Sequence, residues 1–562
     1  MLTLLKNGFV INVFTGEIEK ANVLISDDKI VGVGDYTDDC ADAVFDVSQK
    51  FISPGFIDGH IHIESTMLTP GELSKALLLC GTTSIVADPH EIANVCGKDG
   101  IRYMLSSSEN LPLNIYIMLP SCVPSTDCDE SGATLNADDL LPFYKEKRVL
   151  GLAEVMNYPG VINGDNEILK KISDAVSRGK KVDGHAPLLC GKDLDKYISY
   201  GIRSDHECSS FEEARERIRK GQYVMIRNGT AAKNLSGLID ILDEPYFRRA
   251  LLVTDDKHPE DIVNEGHINS IIRQAVKSGK PAVNAICAAT INAAQCFGLD
   301  YVGAIAPGYR ADIVVLNNLT DISISSVYSS GKEVICENNV CEIAKPKVSA
   351  DIEKSVKSTF NVGPVCADDF KAGEGIKKCR VIKTIKNELL TKEELREINF
   401  DLNGGTDVKN DILKIVVIER HKHTGHKAVG FISGLGLKKG ALASSVSHDS
   451  HNIVAVGTND DDIALAVNHI IKTGGGIAAV SDGKILSDIP LPIAGLMSDK
   501  NALEVAYENE RLSSVLKDMG VPSSSAPIMT MAFMCLSVIP DLKITTKGLF
   551  DVKNQKFVSL FA

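Results

Sequence analysis

Two histidines two residues apart, His60 and His62, close the largely apolar run "FISPGFIDGHIHIEST" at 51–66. Strand side chains alternate between faces, so both imidazoles would leave on the same side. Similar polar residues end other short apolar runs. Asp88, His90 and Glu91 follow "GTTSIVA", Glu154 sits in "VLGLAEVM", His185 in "KVDGHAP", His206 in "GIRSDHE", and Asp255 with Asp256 after "ALLVT". A lone histidine at a strand end usually makes a structural hydrogen bond, and one HxH pair is evenly balanced between that role and metal ligation. Four imidazoles (His60, His62, His185, His206) with the carboxylates Glu154 and Asp255, at the ends of five runs, are hard to explain structurally. Imidazole and carboxylate together suit divalent transition metals, with Mn or Fe expected and Zn the alternative. Six candidate ligands exceed the four that one zinc takes, so the expectation is two ions sharing a carboxylate.

The elements that would position these residues are legible as rhythm. Eight short apolar runs lie between Phe51 and Asp256, separated by amphipathic stretches such as "GDNEILKKISDAVSRG" and "SSFEEARERIRKG". Eight strand–helix units predict a (β/α)8 barrel over 51–300, whose C-terminal strand ends converge on one mouth. A doubly wound open sheet is the alternative, but no GxGxxG or GxxxxGK[ST] phosphate loop follows the first run. The fold class expected is therefore α/β. Hairpin-like text at 1–50 and again at 301–345 predicts a small β domain assembled from both flanks of the barrel. The mixed, Lys-rich 346–380 reads as a linker, and 381–562 as a C-terminal α+β domain.

Composition limits the partners. The chain has 562 residues, enough for about three or four domains at roughly 100–200 residues each. Sixty Lys and Arg stand against 74 Asp and Glu, a net charge of −14, which argues against nucleic acid or an anionic membrane as partner. Fourteen cysteines without a CxxC pair suit reduced thiols. "MLTLLKNGFVINVFTGE" lacks the features of a signal peptide, and no run of about 18 apolar residues is present. The expectation is a soluble cytoplasmic enzyme acting on a small molecule.

"PGFIDGHIHIEST", "VADPHEIANV", "GLAEVMNYPGV", "VDGHAP", "SDHE" and "LLVTDDKHPEDI" resemble the amidohydrolase superfamily and, within it, the adenine deaminases. "SVSHDSHNIVAVG" and "SDIPLPIAGLMSD" resemble that family's second domain, so the likeness covers nearly the whole chain. The resemblance implies that His60, His62 and Asp255 hold one metal and His185 and His206 the other. Glu154 stands where many binuclear members carry a bridging carboxylated lysine, which favours the deaminase branch. It further implies hydrolytic attack at C6 of adenine in purine salvage, with Asp255 moving the proton or serving only as a ligand. Glu91 and Asp256 would bind ring nitrogens or else orient histidines. His90 would contact substrate or bind an extra ion. His448 and His451 in "SHDSHN" would lie over the barrel mouth, because "VDGHAPLLCGKD" and "SDHECSSFEE" return to helix too soon to cover it. "HKHTGH", 421–426, reads as a solvated turn. A purine substrate and a homodimer complete the expectation. The HxE…PCxxC pattern of other zinc deaminases is absent, since "HIE" at His62–Glu64 has no PCxxC after it. The rivals are a cyclic-amide hydrolase of the same superfamily and a catalytically silent metal-binding scaffold.

Overall fold

The computed structural model describes every residue except 231, 337–338, 386–388 and 523–525. Eight parallel strands form the barrel: β1 (Phe56–Ile61), β2 (Thr82–Ala87), β3 (Asn114–Leu119), β4 (Val149–Val155), β5 (Lys181–Gly184), β6 (Ser204–Asp205), β7 (Tyr223–Arg227) and β8 (Ala250–Val253). β1 to β5 pair continuously, as do β6 to β8. Backbone bonds close the two seams. Arg203 N donates to Val182 O at 3.1 Å between β5 and β6, and Asp255 N to His60 O at 3.0 Å between β8 and β1. β1, β2 and β8 are buried along their whole length, as helix-covered parallel strands are, and β8 reads as a continuous apolar run rather than an alternating one.

Ile57, Val86, Met118, Ala153, Met225, Leu251 and Val253 fill the interior and pack with Phe297. This apolar plug forces the polar residues to the strand ends, where barrel sites form. Gly59, just before His60, is part of the same packing, since a Cβ there would come within 2.9 Å of the Leu251 side chain.

A nine-stranded sheet joins strands from Leu2–Ile11 through Phe51–Pro54 to four strands between Ile313 and Val340. The chain passes from this sheet into β1 at Gly55, where a Cβ would sit 2.2 Å from Thr83 Oγ1, so only glycine fits the crossing. The C-terminal part holds an eight-stranded sheet, beginning with Ile376–Thr384 and ending with Lys484–Pro490. Helix Asp460–Thr473 packs on it, opened by an Asn459 cap that accepts from Asp462 N and closed by Gly474 with φ +73°.

Residues 346–380, read from sequence as a linker, are packed. They form helix Ala350–Lys357 and then the start of the Ile376 strand, and Val356 and Phe370 are fully buried. The loop at 120–136 after β3 is long and clasps the C-terminal part. Ser537 Oγ donates to Asp129 Oδ2 at 2.7 Å, Asn452 Nδ2 to Glu130 O at 2.7 Å, and His426 Nδ1 lies 2.8 Å from Glu130 Oε1. Among the described residues no helix is long and apolar enough to cross a membrane.

Candidate active site

Each ring at the end of β1 is fixed from behind. His60 Nδ1 donates to Asp183 Oδ2 at 3.1 Å, and Asp183 is itself held by Ser204 Oγ at 2.6 Å. His62 Nδ1 donates to Asp88 O at 3.1 Å. Both rings therefore turn Nε2 inward as the free donor atom, the arrangement that metal-ligating histidines show. His62 Nε2 lies 3.2 Å and His60 Nε2 3.6 Å from Asp255 Oδ1. Asp255 has φ +61°, a left-handed backbone for a non-glycine residue, which brings its carboxylate back across the mouth.

Glu154 divides the donors. Its Oε1 lies 3.4 Å from His62 Nε2, while Oε2 lies 2.7 Å from His185 Nδ1 and 3.2 Å from His206 Nε2. The last two nitrogens are 3.3 Å apart, about the spacing of two ligands on one ion at ~2.0–2.1 Å each. Burial opposes ionisation of Glu154, but His185 and His206 outweigh it and hold the carboxyl well below its usual range. His60 Nε2 is buried without a hydrogen-bond partner among the described residues. That orphaned atom, beside a donor set of imidazole and carboxylate, fits a divalent metal cradle.

A second cluster forms the roof. Glu91 follows His90 in the first turn of a short helix after β2. Glu91 Oε1 lies 3.1 Å from His448 Nδ1, and Glu91 Oε2 lies 3.6 Å from His451 Nε2. His448 stacks on Phe533 at 4.4 Å. His451 takes Ser447 N on Nδ1 at 3.2 Å, which leaves its Nε2 facing Glu91, and Arg420 Nε donates to its carbonyl. His90 is gripped twice by Asp88, through its backbone N and its Nδ1, both at 3.0 Å, and its Nε2 is 3.8 Å from Asp449 Oδ1. Ser65 Oγ donates to Asp256 Oδ1 at 2.5 Å and lies 3.3 Å from Glu91 Oε1. Burial and the neighbouring Asp255 raise the Asp256 carboxyl. Burial also pushes Glu91 upward, but His448, His451 and His62 hold it well below the usual range.

Comparison with known proteins settles the family. The amidohydrolase family model matches residues 51–334, and the adenine deaminase C-terminal domain matches residues 388–556. Adenine deaminase 2 of Carboxydothermus hydrogenoformans is 46% identical, covering 99% of this chain and 96% of that protein. Adenine deaminase of Kosmotoga olearia is 45% identical over the same shares. The chain belongs to the adenine deaminase family. Among solved structures, the β-aspartyl dipeptidase of Fervidobacterium islandicum AW-1 covers 61% of the chain, and 98% of its own, at 18% identity and a TM-score of 0.47.

All the candidate residues from the sequence gather at this one mouth of the adenine deaminase-family barrel. His60, His62, Glu154, His185, His206 and Asp255 form the floor, and His90, Glu91, Asp256, His448 and His451 surround it. Sequence reasoning missed three participants. Glu207 Oε1 lies 3.5 Å from His185 Nδ1 and 3.4 Å from His206 Nε2. Arg227, the last residue of β7, forks onto Glu207 Oε2 at 2.9 Å and Asp255 Oδ2 at 2.9 Å. Ser65 is the third. Glu207 and Arg227 were visible to the strand-end rule already applied to the histidines, in "SDHE" and "YVMIRNG". The "HKHTGH" turn is only partly solvated. His423 and His426 are exposed, but His421 Nε2 bonds Ser450 O at 2.8 Å beneath the roof loop.

Proposed function

We propose that this chain hydrolyses adenine to hypoxanthine and ammonia, a step of purine salvage. The observation that carries the reading is the division of donors by Glu154, roofed by Glu91 and His448, within a chain of the adenine deaminase family. His60, His62 and Asp255 would hold one divalent ion, His185 and His206 a second, with Glu154 between them. Mn or Fe is the expected metal and Zn the alternative. Such ions supply Lewis-acid polarisation and a water of lowered pKa.

The protein's own groups do the rest. Asp255 takes a proton from the attacking water and passes it toward the leaving amine, while Arg227 fixes its other oxygen. Glu91 and Asp256 are carboxyls whose environments push their proton affinities in opposite directions, the pattern of an acceptor and a donor set against one ligand. Linked through Ser65, they would hold the purine ring nitrogens. His90, His448 and His451 line the space above and exclude bulk water. The enzyme in this reading is a cytoplasmic homodimer. Its fourteen cysteines, none paired among the described residues, support a reducing compartment.

Ammonia release from adenine, adenosine and cytosine, with metal content measured on the same sample, tests the reading. Adenine should exceed adenosine in kcat/KM by at least about 10³, because a closed polar pocket has no place for a ribose. No ammonia from adenine at two metals per chain would overturn it, and a ring-opened carboxylate product from cyclic amides would favour the hydrolase rival.

A further inference from the structure

Most carboxylates around the mouth have a partner on at least one oxygen. Glu154 and Asp255 face the floor imidazoles, and Glu207 lies in the Arg227 fork. Asp88 is taken up by His90, and Asp256 by Ser65. Glu64 Oε2 and Glu91 Oε2 are buried without a hydrogen-bond partner among the described residues, but each residue is held on its other oxygen, Glu64 by the Ile92 amide and Glu91 by Ser65 and His448. Asp449 differs. It is 4% exposed and lies in the roof loop between His448 and His451, and among the described residues its Oδ1 meets only His90 Nε2, at 3.8 Å. Its Oδ2 is buried with no hydrogen-bond partner among the described residues. A buried carboxylate oxygen left open beside His90 and the barrel mouth calls for a donor, because its desolvation is otherwise uncompensated.

Free adenine carries one ring N–H, on N9, the nitrogen that bears the sugar in adenosine. Adenosine has none. We propose that Asp449 accepts this N9–H, and that this bond, in addition to the size of the cavity, selects the free base over its nucleoside. The inference rests on the adenine reading above and extends it to a residue that the metal-binding sequence pattern does not reveal. The reacting C6 and N9 lie on opposite sides of the purine bicycle. With C6 at the metal cradle on the floor, N9 would face away from it, on the side of the roof loop where Asp449 lies 3.8 Å from His90 Nε2. A site built to bond a substrate N–H rejects the analogue that lacks it by about 10⁴-fold, which a steric wall alone need not do.

The test is steady-state kinetics of wild type, Asp449→Asn and Asp449→Ala on adenine and 9-methyladenine, at matched metal content. Wild type should prefer adenine by at least about 10³. In Asp449→Ala, kcat/KM for adenine should fall about 100-fold or more while 9-methyladenine does not fall, so the preference collapses. Asp449→Asn, isosteric and still an acceptor but uncharged, should lie between and controls for folding. A preference in both variants within twofold of wild type would overturn the proposal and assign selectivity to sterics alone. Wild type inactive on adenine would instead sink the adenine reading, a distinct outcome that takes this inference with it.

Discussion

His448 Nδ1 lies 3.1 Å from Glu91 Oε1, so a histidine of the C-terminal domain is paired with the residue directly after His90 on the barrel. The second domain therefore contributes side chains to the mouth instead of only packing beside it. His448→Ala and His451→Ala should each leave metal content unchanged and lower kcat/KM for adenine by about 10-fold or more, the loss of one positioning contact of ~1.4 kcal/mol. If the kinetics of both folded variants match wild type, the roof serves stability alone.

The same pair predicts a pH dependence. Burial lowers the His448 pKa, but Glu91, Asp256 and Asp449 outweigh it and raise it to about 9, from 6.5 for the free side chain. Because the folded value is the higher one, the pair's contribution to stability is complete below about pH 6.5 and is lost as pH rises through about 9. Melting temperature should therefore fall more steeply in wild type than in His448→Gln between about pH 7 and pH 10. Equal slopes would mean that His448 is not charged in the folded protein.

Glu154 offers a sharper test of the floor. Its two oxygens face different histidines, 3.4 Å from His62 and 2.7 Å from His185. Glu154→Gln removes the charge that offsets repulsion between two cations. Metal content should fall below two per chain and turnover by several orders of magnitude, read by elemental analysis alongside ammonia release. Two retained metals with a near-normal rate would rule out a shared carboxylate.

The floor was legible because its signal is local. Each ligand ends an apolar run, and strand parity puts His60 and His62 on one face without knowledge of the rest of the chain. Eight runs also implied closure, which the Asp255–His60 and Arg203–Val182 bonds supply. The roof was harder, since the pairing of Glu91 with His448 depends on how two domains dock, and "SHDSHN" reads equally well as a turn. Residues 346–380 misled for a related reason. Their lysines are solvated, but Val356 and Phe370 are buried by neighbours distant in sequence, which composition cannot show. Ser65 was invisible because serine is too common at a strand end to stand out.

Arg227 gives the last prediction. Its guanidinium bridges Glu207 and Asp255, and both carboxylates border the floor histidines. Burial lowers its pKa, but the two carboxylates outweigh this and keep it charged. The fork aligns Asp255 Oδ2 while leaving Oδ1 to the His60 and His62 side, and it fixes Glu207 beside His185 and His206. Lysine keeps the charge but cannot span two carboxylates with a planar pair of donors. Arg227→Lys should therefore retain two metals and a near-normal melting temperature while kcat falls by about 10-fold or more, with KM for adenine changed less. Arg227→Gln should fall further, because removing the charge leaves two buried carboxylates facing each other without a counter-ion, a loss of about 3–5 kcal/mol when a buried pair is broken. The discriminating measurement is kcat at matched metal content. If Arg227→Lys keeps full kcat and only its melting temperature drops, Arg227 is a structural ion-pair partner, and Asp255 needs no help to hold its place.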